Sequence, residues 1–547
     1  MVGVELALAI IATVDLAFKY GELLVNVCAT FRAAEYQVSI LVTRIESSWI
    51  RTKCQLEFLQ KVVHLMQSDH QRIQKEILDK LNETLQAAIS HLSGVVDKNS
   101  CSPVKFGAGQ EDRGRYRDIA TEINRFKYVF KKEKLEKSVE DLESWQRLFD
   151  PSWFLIMTIA NPIVDQQLAD ANRLNSNSGP NERASSYKTP ASKAAALRSA
   201  RDREHATGGV FRPANGIDQS TIRKIQSTSA LVAQRNGFGE YMILDPVPCP
   251  PDANTQMLTK SIRDLARKLM NADPEVFGLL RCKGVIKKSH PPPRSNSISA
   301  FVFIFEIPVG LSEPQGLQSL LADSEHLHSL SHRLQVAKDL AKAVNYIHMF
   351  GYVHKNIRSE NIVILKDGKS DIGSAFLVGF EEIRLAEGDS RRLGDSILER
   401  NIYRHPERQG PNPREYYIMQ HDIYSLGVCL LEIGLWVSLA DTLTNVGIRS
   451  LGAPPPYTET PSSPTKAQPM PTEDQTLIKN QLLRQARENL PRKMGNNYAR
   501  VVETCLTCLD PGNEDFGDEA ALEDEDGVLV SVRYIEKVLE KLEAINM

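Results

Sequence analysis

Proline is missing from the opening stretch of this 547-residue chain, with none before Pro103. Proline removes a backbone donor and clashes inside a helix, so its absence leaves that stretch free to form long uninterrupted helices. Charge of one sign is not in excess: 66 Lys and Arg face 69 Asp and Glu, a formal net charge of -3. A balance so close to zero gives no electrostatic draw toward nucleic acid, and no nucleic-acid partner is expected. Cysteine is sparse, with eight in all, which excludes a disulfide framework and favours a reducing compartment. Cys505 and Cys508 form one C-x-x-C with no second pair or histidine cluster. They read as buried core cysteines on one helix face rather than as a zinc or redox site. No run of about 18 uncharged apolar residues occurs, so no constitutive transmembrane helix is expected. The apolar amino terminus carries Glu5 where a secretory signal has basic residues, so a signal is not expected either. These absences favour a cytoplasmic protein.

Hydrophobic residues make up 42% and charged residues 25% of the chain, proportions of globular protein with buried cores. The length suits roughly two to four domains. Residues 1–170 read as nearly all helix. Apolar residues recur at helical spacing from Gln55 to Val63 and from Ile73 to Leu92, and further helices are expected over Tyr116–Lys132, Leu135–Phe149 and Trp153–Ala169. Ser100, Pro103, Gly107, Gly109 and Gly114 mark one loop between them. Such segments fit an all-α helical bundle.

Residues 171–214 change character, with seven basic against three acidic residues between Ala171 and Val210. This composition suits a flexible, mildly basic linker, and attraction to anionic lipid is the sharper reading of it. From 215 onward the pattern is mixed. Strands are expected at Ala230–Ala233, Tyr241–Leu244 and Ala300–Ile307, a helix at Leu258–Met270, and mainly helices after Leu334. Gly452–Pro471 holds seven prolines, and Asp510–Asp526 holds nine acidic and no basic residues. Both read as exposed loops, the second preceding a last helix, Val530–Ile545.

Tyr346 to Leu365 reads YIHMFGYVHKNIRSENIVIL. It resembles the catalytic loop of protein kinases, H-R-D-[LI]-[KR]-x-x-N between a helix and a short strand. His354, Lys355, Asn356, Ile357, Arg358 and Asn361 stand in those places. Tyr403-Arg404-His405-Pro406-Glu407 resembles the A-P-E segment, and the stretch from Asp422 to Val428 resembles the start of the long buried helix whose Asp braces the catalytic loop. The resemblance implies an α+β, two-lobed protein-kinase-like fold over 215–547, with a smaller lobe at about 215–310 and a larger one at about 311–547.

The same resemblance implies that the chemistry is lost. Phosphoryl transfer needs a base for the hydroxyl, a metal-binding Asp, and a phosphate-pairing Lys held by a Glu. The base position is Asn356, whose amide cannot accept a proton as a carboxylate does. The D-F-G position reads Gly379-Phe380-Glu381, so the metal carboxylate is missing. Glu381 stands as a displaced ligand or, more simply, as a hinge carboxylate. No V-A-I-K occurs, and Asp245 falls near the place of the strand lysine. The candidate partner helix Leu258–Met270 offers Asp264 but no Glu, and the G-x-G of Gly237-Phe238-Gly239 reads as a plain hairpin turn rather than a phosphate clamp. Asn361 remains as a metal ligand, and one ligand does not hold Mg²⁺. A pseudokinase is expected, with no metal and no cofactor, metal-independent ATP binding being left open.

The first helix candidate, Val4–Val27, gathers Glu5, Asp15, Lys19, Glu22 and Asn26 within a sector of about 100°. Leu6, Leu8, Ile10, Ile11, Val14, Leu16 and Phe18 cover much of the rest. One reading is a central helix wrapped by its neighbours. The other is a releasable membrane-active helix acting through Leu6, Leu8, Ile10, Ile11, Val14 and Phe18, since each large apolar side chain buried is worth about 1.5–3 kcal/mol. Glu5 and Asp15 argue against a full span of the bilayer.

The opening MVGVELALAIIATVDLAFKYGELL, the helical region behind it and the kinase-like remainder resemble fungal HeLo and HeLo-like domains. These belong to the prion-inhibition and propagation group found in incompatibility and cell-death proteins. The arrangement is also similar to mixed lineage kinase domain-like protein, in which a pseudokinase restrains a membrane-permeabilising helical bundle. The resemblance implies self-association through residues 1–170, anionic membrane lipid and an upstream signalling protein as partners, and conditional recruitment from the cytoplasm to a membrane. A role in regulated cell death or heterokaryon incompatibility follows. A protein-binding scaffold without membrane activity is the alternative, and an atypical active kinase using Glu381 and Asn361 is the third reading.

Overall fold

The structure, a computed structural model, describes residues 2–29, 36–66, 68–93, 134–142, 144, 145, 149, 209–250, 253–289, 297–323, 328–368, 370–385, 397–439, 472–516 and 528–545. The expected loop near Pro103, the helices Tyr116–Lys132 and Trp153–Ala169, most of the linker and the proline-rich Gly452–Pro471 lie outside the described residues. The chain divides into two compact units, Met1–Arg198 and Ser199–Met547.

The first unit is helical. Helices α1 (Val2–Ala29), α2 (Tyr36–Val62) and α3 (Ser68–Ser93) run without proline, as the composition implies. Glu22 meets Lys53 at 3.2 Å and Asp15 accepts from Gln60 at 2.7 Å, so α2 runs antiparallel to α1. Asn82 donates to the Thr13 carbonyl at 3.1 Å and Gln86 to the Tyr20 hydroxyl, so α3 runs parallel to it. The buried seam of α1 is Ala7, Ile10, Val14, Ala17, Gly21, Leu24 and Cys28, alternating steps of three and four that hold one face inward. The close fit is made at Gly21, where a Cβ would fall 2.0 Å from the Trp49 ring of α2. Trp145, in the helical stretch 134–142, 144 and 145, donates from Nε1 to the Ile77 carbonyl at 2.8 Å and adds a further wall.

The seam divides the expected membrane-active residues. Ile10 and Val14 are core, Leu6, Ile11 and Phe18 are half-buried, and Leu8 is 62% exposed. The outward stripe is Leu8, Leu16 and Leu23, interspersed with the exposed polar residues Glu5, Asp15, Lys19, Glu22 and Asn26. Small residues (Ala7, Ala17, Gly21) rather than the largest ones turn the helix, because they let α2 and α3 approach.

The second unit begins with a six-stranded sheet in the order β1-β5-β6-β4-β3-β2. Its strands are β1 (Phe211–Arg212), β2 (Arg223–Lys224), β3 (Leu231–Gln234), β4 (Tyr241–Pro248), β5 (Cys282–Ser289) and β6 (Ile298–Glu306). β1 lies within the span expected to be linker, 171–214, because Val210 and Phe211 pair with and pack on β5. β4 runs four residues past the expected end at Leu244. Pro246 and Pro248 pair only with β6, beyond the last β3 partner of β4, where a missing N–H costs no ladder bond. Met242 and Leu244 of β4 point into one apolar cluster with Ala233, Ile286, Val302 and Ile304. The alternation of side chains puts Ile243 and Asp245 on the opposite face. Helix α4 (Thr255–Leu269) is capped by Asn254, which accepts from Met257 N–H at 3.1 Å, and buries Ile262, Leu265, Ala266 and Leu269 against β5 and β6.

The helical part is organised on α5 (Leu330–Met349) and the fully buried α6 (Met419–Leu435). α7 (Thr472–Glu488) and α8 (Leu490–Leu506) pack beside α6. A small sheet orders β10 (Ser374–Leu377), β9 (Ile362–Lys366) and β7 (Ser312–Gly316), and β8 (Tyr352–Val353) pairs with β11 (Arg384–Leu385). The last helix is α-helical at Val528–Tyr534, takes a π turn over Ile535–Leu539, and ends at Glu540–Glu543. Tyr534 is anchored just before that turn by donating to the Ala341 carbonyl at 2.8 Å. Cys505 and Cys508 are buried as expected, and burial pushes the Cys508 thiol up to about 12. Among the described residues no helix is long and apolar enough to cross a membrane.

Candidate functional site

The loop after β8 hangs on one carboxylate. Asp422, in the first turn of α6, is fully buried. It accepts from the backbone N–H groups of His354 at 2.7 Å and Lys355 at 2.9 Å, and from the Tyr417 hydroxyl at 2.7 Å. His348 Nε2 lies 3.1 Å away. Burial alone would raise its pKa, but these donors outweigh it and hold the carboxyl below the ordinary value. Lys355 sits at φ +66°, a left-handed conformation that costs a non-glycine residue about 1–3 kcal/mol. Two consecutive amides pinned to one side chain enforce it.

That turn delivers His354 to Phe380, with ring centroids 5.2 Å apart. Phe303 and Phe305 of β6 complete the stack at 6.0 and 5.8 Å. Burial lowers the His354 pKa to about 4, leaving a neutral imidazole in an apolar column. Phe380 thus joins the sheet to the helical part, as its motif position implies.

A kinase-type arrangement of brace, loop and aromatic column is therefore present. The sequence profile of the protein tyrosine and serine/threonine kinase family matches residues 309–439. A curated protein of Dictyostelium discoideum, described as "Probable LIM domain-containing serine/threonine-protein kinase", is 29% identical over 120 residues, 21% of this chain. This chain spans 16% of that relative's length. The second unit carries a protein-kinase-like domain. The matched span starts after β6, so the six-stranded sheet lies outside the region of sequence match.

Within this kinase-like cleft the polar residues bond to one another. Asp245 of β4 is 1% exposed and its Oδ2 accepts from both Gly379 N–H and Phe380 N–H at 3.0 Å. Burial is the largest influence on it and raises its pKa to about 6, against the lowering effect of the two amides. The residue near the place of the strand lysine is thus a clasp on the Gly379-Phe380-Glu381 backbone. Gly379 adopts φ +83°, and a Cβ there would fall 2.4 Å from the Asn361 side chain. Asn361 donates to the Asn356 carbonyl at 2.7 Å and faces the Ser229 hydroxyl at 3.4 Å. Asn356 in turn donates to Glu381 at 2.9 Å, and Arg358 lies 3.0 Å from Glu360 and 3.8 Å from Glu381.

Other expected residues lie apart from this cluster. Asp264 of α4 pairs with Arg267 one turn away at 3.7 Å on the partly exposed side of the helix. Gly237-Phe238-Gly239 forms the turn between β3 and β4, and Arg235 lies over the Phe238 ring. Pro406 and Glu407 open a short 3-10 turn, and the Glu407 carbonyl accepts from Arg414 N–H at 2.9 Å. Just before that turn, Tyr403 donates to Glu432 of α6 at 2.9 Å, and beside it Lys479 bridges His405 and Asp510. Ser229 and Tyr417 were not singled out from sequence: Ser229 bonds to Asn361, 132 residues away, and Tyr417 lies just outside the motif whose Asp422 it bonds.

Proposed function

We propose that the kinase-like domain is non-catalytic and regulates the helical unit, which acts as the effector by associating with itself and with anionic membrane. The observation that carries the first part is Asp245. A carboxylate stands near the place of the phosphate-pairing lysine, and it already holds the amides of the degenerate D-F-G segment. The residues present do not fit Mg²⁺: Gly379 has no carboxylate, its Cβ space is filled by Asn361, and Asn361, whose nitrogen donates to the Asn356 carbonyl, offers a single neutral amide oxygen. Asn356 donates to Glu381, and Asp245 accepts the Gly379 and Phe380 amides, so both carboxylates of the cleft are engaged. At the base position itself Asn356 has an amide, which does not take a hydroxyl proton. Radiolabelled phosphate transfer and thermal shift with Mg-ATP on the full chain test the reading; incorporation lost in Asn361→Ala would defeat it.

The effector role rests on the HeLo resemblance and on the apolar helix α1. A role in fungal regulated cell death or heterokaryon incompatibility, under an upstream signalling protein, follows from the same resemblance. The outward stripe Leu8, Leu16 and Leu23 is the surface offered to a bilayer interface, whereas Ile10 and Val14 would have to leave the core first. Triple substitution of the three leucines by Gln spares the seam. Loss of cell killing and of vesicle dye release with folding intact supports membrane action, and unchanged leakage opposes it. A protein-binding scaffold is the second reading, favoured by the small size of that stripe. It requires a stable protein complex and no leakage.

A further inference from the structure

The cleft is closed at one end by a segment that no motif marks. Between β2 and β3 the chain turns through Ile225-Gln226-Ser227-Thr228-Ser229-Ala230. This is the hairpin turn that lies over the phosphates in a kinase-type sheet, where glycines offer free N–H groups. Here it has no glycine, and it bonds to itself. Ile225 N–H donates to the Ala230 carbonyl at 3.1 Å and Thr228 N–H to the Ile225 carbonyl at 3.2 Å. The Thr228 hydroxyl donates to the Ile225 carbonyl at 3.0 Å, and Ile225, Thr228 and Ala230 are all buried.

Two contacts dock this turn on the helical part. Ser229 faces Asn361 at 3.4 Å. On the other side Gly316, at the end of β7, lies beneath Gln226 and Thr228: a Cβ on Gly316 would fall 2.4 Å from the Gln226 carbonyl oxygen and 2.6 Å from the Thr228 methyl. Gly316 itself has φ -80° and ψ 138°, a conformation open to any residue. Its lack of a side chain is therefore needed for the docking and not for its own backbone.

We propose that the Ile225–Ala230 turn is the cleft's own occupant, a plug that ties the two lobes together where a kinase would hold nucleotide phosphates, and that its withdrawal is the domain's switching step. The proposal rests on the non-catalytic reading and names the moving part. Ser227 at the tip is exposed and strained at φ +55°, so docked and released forms differ in a turn that stores part of the difference.

Hydrogen exchange by mass spectrometry on the full chain tests this with Gly316→Val. The branched side chain is compatible with the backbone but not with the docked turn. Exchange across Arg223–Leu231 is expected to rise by roughly tenfold or more, while β5 and β6 keep their protection. Unchanged exchange over the turn in folded Gly316→Val overturns the plug and leaves the non-catalytic reading intact. If Val prevents folding, Gly316→Ala is read in the same way, since its Cβ meets the same carbonyl. Phosphate transfer from Mg-ATP is measured on the same variant. Released exchange with no transfer supports both readings, whereas released exchange with transfer keeps the plug and defeats the non-catalytic reading.

Discussion

Asp245 and Phe380 are joined across the cleft: the carboxylate of β4 accepts the Phe380 backbone N–H at 3.0 Å, 135 residues further along the chain. The same oxygen accepts from Gly379 at 3.0 Å. The sheet lobe is thus bonded to the backbone of the segment whose side chain would carry metal in a kinase.

Asp245→Asn keeps an oxygen for the two amides and removes a buried charge. The folded pKa of about 6 lies above the ordinary 3.8, so unfolding releases a proton between those values and stability falls as pH rises through that window. Above it the cost is fully present. The Asn variant is expected to be more stable than wild type at pH 7.5, on the order of 2–3 kcal/mol, with the gain vanishing near pH 4. Asp245→Ala leaves both amides unpaired and is expected to be less stable than the Asn variant. Urea unfolding at several pH values checks both.

Asp422→Ala removes the acceptor of two backbone amides and a tyrosine hydroxyl. A loss of about 2–4 kcal/mol is expected, with exchange rising first at His354 and Lys355. Equal stability of this variant and wild type in urea would contradict the brace.

Acidification acts through three buried imidazoles. Burial is the main cause that lowers His354 to about 4 and His405 and His421 to about 3. Each binds its proton more readily when unfolded, so its contribution is complete above about 6.5 and is lost as pH falls toward 3–4. Asp245 and Asp339, both raised by burial, work in the opposite direction but are two groups against three. The urea midpoint of the kinase-like domain is expected to fall steadily from pH 7 to pH 5, and a flat profile would contradict neutral burial of these histidines.

Gly379→Asp restores the family residue on paper. At φ +83° and with Asn361 filling its Cβ space, the new side chain is expected to cost about 1–3 kcal/mol and to gain no Mg²⁺-dependent shift in Tm. A clear Mg²⁺-dependent rise would show that the segment can rearrange to hold metal.

The motif residues from His354 to Asn361 and Asp422 were legible in the sequence because loop and brace are defined by residue type at short spacing. The Asp422 bonds to His354 and Lys355 fall where that reading places them. Asp245 was legible only as a missing lysine, since its partners lie far away in the chain. The turn carrying Ser229 gave no sign at all, because its docking depends on the emptiness of Gly316 in another lobe. In α1 the amphipathic character was plain, but weight placed on Leu, Ile and Phe hid the seam. Ala7, Ala17, Gly21 and Cys28 share that seam with Ile10 and Val14, and close helix approach selects small residues as much as large ones. The strand β4 runs past the expected end at Leu244 through Pro246 and Pro248, which an edge without a β3 partner makes harmless.

The most direct measurement is the melting of the full chain with and without saturating Mg-ATP, read together with labelled phosphate transfer. A ligand at a hundred times its Kd stabilises by about 2.7 kcal/mol. On the proposed non-catalytic reading, a cleft held by Asp245, Asn361 and Ser229 shows no such shift and no incorporation of label. A Mg-ATP-dependent rise in Tm accompanied by phosphate incorporation that Asn361→Ala abolishes would contradict it.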